Sequence, residues 1–123
     1  MGRGIALGDS APGAEEIMLR IYDVMVGVLQ NLRAVLPMIG RRDRNLEDQL
    51  RRAATGVLLN IAEGSGSRGG NRMMRYSNAL GSARECQACL HAATALGYVT
   101  AIDSSLTDGL REVIGTLVKV ARA

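Results

Sequence analysis

Cys86-Gln87-Ala88-Cys89, with His91 two residues beyond, is the first place in this chain where side chains at fixed spacing can do chemistry. Zinc closes a structural site with four ligands, and two thiolates and one imidazole supply only three. Haem attachment needs His directly after the second Cys, where Leu90 stands. Inside a helical pattern both cysteines are expected to pack as small apolar side chains, and no metal or other cofactor is expected. His91 is the only histidine, so a His-rich catalytic centre cannot form within one chain. Glu63 and Glu85 have the right side chains for acid and base work, but no nucleophile or metal motif accompanies them. Glu63 is expected to satisfy backbone groups at a connector, and Glu85 to pair with an arginine. The reading is therefore non-enzymatic.

The run Gly64-Ser65-Gly66-Ser67-Arg68-Gly69-Gly70 invites comparison with a phosphate loop. It lacks the Gly-Lys-Ser/Thr ending, and no strand precedes it. Arg68, Arg72 and Arg75 nevertheless surround the expected start of a helix, an end that favours anions. They belong to a wider asymmetry. Between residues 41 and 84 nine arginines stand against Asp43, Glu47, Asp48 and Glu63, while the rest of the chain is net acidic. The whole carries +3 at pH 7, and Lys119 is its only lysine. Arginine offers a planar fork that suits phosphate and carboxylate, so an anionic partner is implied. Arg41, Arg42, Arg44, Arg51, Arg52, Arg68, Arg72 and Arg75 are the candidate phosphate contacts. Glu47–Arg51 and Asp48–Arg52 are also favourable i,i+4 pairs, which leaves a solvated helix face as the plainer reading of those two. Tyr22, Tyr76 and Tyr98 are the only aromatic side chains, so binding is expected to be led by the backbone of the nucleic acid.

Four helices are predicted to position these groups. The first starts near Ala14, carries Ile17, Ile21, Val24, Val28, Leu32 and Val35 at helical spacing, and is expected to end at Pro37 and Gly40. Asn45 reads as the N-cap of the second, which runs over residues 46–63 with Leu46, Leu50, Ala53, Ala54, Val57 and Ile61 on one face. Leu59 lies on the opposite face among small residues, a hint of a second contact surface. Gly64 is expected to end this helix in the left-handed region. The third helix is predicted over residues 71–96, closed by Gly97, with Tyr76, Leu80, Ala83, Leu90 and Ala93 on its best face. Met74, Gly81, Ala88, Cys89, Ala92 and Leu96 on its other faces make it apolar nearly all round, which argues for an oligomer. The fourth starts after Asp103 or Ser104 and carries Leu106, Leu110, Val113, Leu117 and Val120. At 123 residues the chain has room for one core. Short connections make the class all-α, an antiparallel up-down four-helix bundle over residues 14–123, behind a flexible tail at residues 1–13. The longest uncharged stretch is too polar to span a membrane, and a soluble cytoplasmic protein is expected.

Two short runs place a carboxylate beside small residues: Asn60-Ile61-Ala62-Glu63-Gly64-Ser65-Gly66 and Ala79-Leu80-Gly81-Ser82-Ala83-Arg84-Glu85. Within them Asn60, Glu63, Gly64, Gly81, Ser82 and Glu85 read as a structural motif. With Gln49-Leu50-Arg51-Arg52-Ala53-Ala54 and Leu96-Gly97-Tyr98-Val99, the order and spacing resemble the four-helix family encoded in intervening sequences of bacterial 23S ribosomal RNA genes, often labelled S23. The resemblance covers residues 49–98. It implies a homopentameric barrel of four-helix protomers. A related branch, the accessory variability proteins of diversity-generating retroelements, implies binding to nucleic acid and to a reverse transcriptase. The expected function is thus a homo-oligomeric accessory scaffold for RNA or DNA. The rival is a protein-interaction scaffold whose arginines serve carboxylates of neighbouring subunits.

Overall fold

The computed structural model describes residues 13–122; the expectation of a flexible tail falls on residues that lie outside them, Gly13 excepted. Four helices follow in order: α1 (Ala14–Gly40), α2 (Arg44–Ser65), α3 (Gly69–Ala95) and α4 (Ser104–Arg122), and no strand occurs among the described residues. Each packs on its chain neighbour, and α4 closes the ring against α1. Successive helices run antiparallel. α1 and α4 do so as well: Asn31 of α1 donates to Ser105 near the start of α4, and Arg20, about three turns earlier in α1, meets Glu112 further along α4.

The core faces follow the helical period. Met18, Ile21, Met25, Val28, Leu32, Val35 and Ile39 line the inside of α1. Leu50, Ala53, Ala54, Val57 and Ile61 do so on α2, and Leu106, Leu110, Val113 and Leu117 on α4. On α3 the buried set is Tyr76, Ala79, Ala83, Cys86, Cys89, Leu90 and Ala93. Leu80, expected on that face, is only half-buried, while Ala79 and the two cysteines point inward instead. Among the described residues no polar or charged side chain is fully buried.

α1 begins at Ala14 and ends at Gly40 as expected, with Gly13 as its N-cap, whose N–H donates to Glu16 Oε1 at 3.3 Å. Three other points differ from expectation, each for a physical reason. Pro37 lies inside α1 instead of ending it. Pro removes one hydrogen bond, but Ile39 beyond it is fully buried, so the last turn has a core contact to keep it helical. Asp43, not Asn45, caps α2, its carboxylate accepting from Leu46 N–H at 2.9 Å. Gly64 is helical and buried, with no positive φ; α2 runs on to Ser65 and its C-cap is Gly66 at φ −89°. The left-handed glycines are Gly69 (φ 58°), where α3 begins, and Gly97 (φ 77°), which closes it as expected.

Candidate nucleic-acid interface

The eight arginines singled out by sequence do not form one patch. α2 is 22 residues long, about 33 Å at 1.5 Å per residue, and it separates them. Arg41, Arg42 and Arg44 surround the α1–α2 turn at one end of the bundle. Arg68, Arg72 and Arg75 surround the α2–α3 connector at the other. Arg51 and Arg52 lie along α2, nearer the first end.

At the first end, the carboxylate of Asp43 is spent within the fold. One oxygen caps α2, and the other accepts the Tyr98 hydroxyl at 3.3 Å. Tyr98 follows Gly97, whose left-handed backbone turns the chain back so that Tyr98 N–H reaches the Ala93 carbonyl. Arg42 sits over the Tyr98 ring, 5.7 Å from its centroid, within the range of a cation–π contact. Arg41, Arg42 and Arg44 are exposed, and none of the ion pairs among the described residues involves them. Sequence reasoning missed Tyr98 here. Its partners are 55 residues away in the chain, and no local signal marks them.

The second end is built for structure. Arg72 Nε donates to the Ser67 carbonyl of the connector at 2.9 Å and, more weakly, to the Gly64 carbonyl at 3.3 Å, which also accepts the Ser67 N–H. Arg75 pairs with Glu63 at 3.1 Å across α2 and α3. Ser65 and Ser67 donate back to the carbonyls of Ile61 and Glu63, at 3.0 and 2.7 Å. The Tyr76 ring packs against Gly64, where a Cβ would overlap it. Beside it lies a cavity of about 370 Å³ lined by Met18, Leu19, Met73, Tyr76 and Val120, with Arg72 at its edge. Arg68 alone of this group is exposed without an ion pair.

The remaining candidates sort as follows. Arg51 pairs with Glu47 at 3.1 Å and approaches Asp48, which also holds Arg52 at 3.3 Å. Asn60 donates to the Gly56 carbonyl one turn back, and a Cβ on Gly56 would stand 3.2 Å from Ser82 Oγ, so α2 and α3 approach closely there. Gly81 faces open space. Glu63 takes Arg75 rather than backbone N–H groups. Glu85 is exposed and forms no ion pair among the described residues, contrary to the expected arginine partner. Cys86 and Cys89 are free, buried thiols. Burial, helped by the neighbouring Cys89 and Glu85, pushes Cys86 up to about 12, so it stays a thiol at neutral pH. His91 is exposed. No group of three or more metal-binding side chains occurs among the described residues, and none of their helices is long and apolar enough to cross a membrane.

The outer surface carries apolar side chains as well. Leu19 is 66% exposed, Leu96 58%, Leu59 55% and Met74 49%, with Tyr22 at 36%. Leu19 and Tyr22 were not anticipated, although they follow the α1 core positions by one residue at the same three-four spacing.

The family model described as "23S rRNA-intervening sequence protein" matches residues 18–119, which takes in all four helices and not only the central two. No curated protein and no solved structure matches the chain.

Proposed function

The chain belongs to the 23S rRNA-intervening sequence protein family, and from that premise we propose that it is a non-enzymatic, homo-oligomeric accessory scaffold that binds RNA or DNA. The observation that carries the reading is a set of exposed arginines that hold no carboxylate among the described residues, the candidates Arg41, Arg42, Arg44 and Arg68 together with Arg84, in a segment with a surplus of positive charge. Such groups neutralise phosphates and release counterions without reading sequence. The exposed Leu19, Tyr22, Leu59 and Met74, on the outer faces of α1, α2 and α3, support self-association, because large apolar side chains gain from being covered. The resemblance extends the proposal to a cytoplasmic homopentamer with a reverse transcriptase as protein partner.

A second reading has its own support. Arg51, Arg52 and Arg75 already hold carboxylates, which suits a protein scaffold whose arginines serve ion pairs and never meet nucleic acid. Two measurements separate the readings. Light scattering at micromolar concentration should give several times the 13.1 kDa chain mass; a monomer overturns the oligomer. Binding to mixed-sequence RNA or DNA should weaken steeply with salt. Replacing Arg41 and Arg44 by Gln should flatten the log–log slope by up to about two units while the oligomer persists. Dissociation of the oligomer in that variant favours the protein scaffold. No binding by the parent protein at low salt overturns the nucleic-acid reading.

A further inference from the structure

We propose that the nucleic-acid contact is the bundle end formed by the α1–α2 turn and the α3–α4 connector, and that it takes unpaired bases of a single strand. The inference rests on the nucleic-acid reading above and names which end and which form of nucleic acid. Three observations converge on it. Arg42 is exposed yet held over the Tyr98 ring, 5.7 Å from its centroid. The ring is itself fixed, half-buried and anchored through its hydroxyl to Asp43. Arg41 and Arg44 flank this pair, and the acidic groups of this end are engaged: Asp43 by the cap and by Tyr98, Glu47, which lies against Gly40, by Arg51, and Asp103 by Ser105.

A guanidinium already seated on an aromatic ring is a platform of fixed position. A base laid on it extends the stack, and the neighbouring arginines reach the phosphates on either side. Bases inside a duplex are covered by their neighbours and cannot make that contact. Double-stranded nucleic acid would meet only the charges. The opposite end offers no such platform. No arginine is seated on a ring there among the described residues: Tyr76 is buried against Gly64, Arg72 and Arg75 are occupied by the Gly64 and Ser67 carbonyls and by Glu63, and the exposed Arg68 has no ring beneath it.

Fluorescence anisotropy with the full chain tests this, using a mixed-sequence DNA strand of about 16 nucleotides, its duplex, and RNA of the same sequence. Both single strands should bind about tenfold more tightly than the duplex, the value of roughly one stacked base. Arg42→Lys keeps the charge and loses the planar fork. It should cost about tenfold on the single strands and leave the duplex affinity unchanged. Tyr98→Phe, which keeps the ring but releases it from Asp43, should bind single strands less tightly than the parent and more tightly than Arg42→Lys, and Arg68→Gln should leave the single-strand preference intact. Equal affinity for single strand and duplex overturns the proposal. So does an Arg68→Gln loss as large as that of Arg42→Lys, or an Arg42→Lys variant that binds single strands like the parent. In each of these results the protein still binds, so the broader reading stands. Absence of binding to every probe at low salt overturns both.

Discussion

The two ends of this bundle use the same residue type for opposite purposes. At the α2–α3 connector, Arg72 is drawn in by the Ser67 carbonyl and shares the Gly64 carbonyl with the Ser67 N–H, and Arg75 is held by Glu63. At the α1–α2 turn, the corresponding work is done by a side-chain cap, Asp43, and the arginines around it remain exposed. The difference lies in the acceptors nearby. An arginine becomes structural where uncommitted carbonyls or carboxylates surround it, and stays available where the local acceptors are already spent.

The strongest way to break the comparison is at Gly64. If the second end is a packing element, a side chain there must collide with Tyr76, whose Cδ1 would lie 2.6 Å from an added Cβ. Overpacking of this kind costs about 3 kcal/mol or more in a site that cannot move. Gly64→Val should therefore lower the midpoint of thermal unfolding by about 10 °C or more. Gly66→Ala, which meets nothing closer than 3.8 Å, should cost little. Shrinking the ring in the double variant Gly64→Ala/Tyr76→Leu should recover part of the loss. A Gly64→Val protein as stable as the parent would mean that the ring does not press on this helix.

Arg72 gives the next largest effect. Its half-buried Nε serves two carbonyls, and losing charged hydrogen bonds of this kind costs about 1–2 kcal/mol. Arg72→Gln should lower the unfolding midpoint by about 5 °C and speed amide exchange in the connector, without altering nucleic-acid affinity. If affinity falls and stability does not, the two ends have been assigned the wrong way round.

Why the sequence conveys one end better than the other follows from where the information sits. The core faces of α2 and α4, the start of α4 beside Asp103 and the left-handed Gly97 depend on residues within a turn of one another, and periodicity and cap chemistry report them. Gly64 looks like a C-cap because it ends an apolar period. Its actual constraint is a ring twelve residues later, across a connector, and the left-handed role falls to Gly69. Pro37 reads as a stop, and the burial of Ile39 overrides it. The arginines between residues 41 and 84 look like one patch because they are close in sequence; a helix of 22 residues carries Arg41, Arg42 and Arg44 to one end and Arg68, Arg72 and Arg75 to the other, and leaves Arg51, Arg52 and Arg84 between them. The pairing of Arg42, Tyr98 and Asp43 is wholly tertiary and leaves no trace in local pattern.

Asp43 provides the finest test, because it separates the capping role from the charge. Asn caps a helix about as well as Asp, and its carbonyl oxygen can still accept from Leu46 N–H. Asp43→Asn should therefore change stability by no more than about 0.5 kcal/mol, while Asp43→Ala, which loses the cap, should cost about 1 kcal/mol. The Asn variant also removes the only negative charge between Arg41 and Arg44, so its affinity for single-stranded nucleic acid should rise. Glu63→Gln makes the equivalent charge change at the other end by releasing Arg75, and it should leave affinity unchanged. Chemical denaturation and anisotropy on the three variants measure both quantities. If Asp43→Asn and Asp43→Ala destabilise equally, the helix needs the carboxylate charge rather than a hydrogen-bond acceptor. If Glu63→Gln tightens binding as much as Asp43→Asn does, affinity follows total charge, and the distinction between the two ends fails.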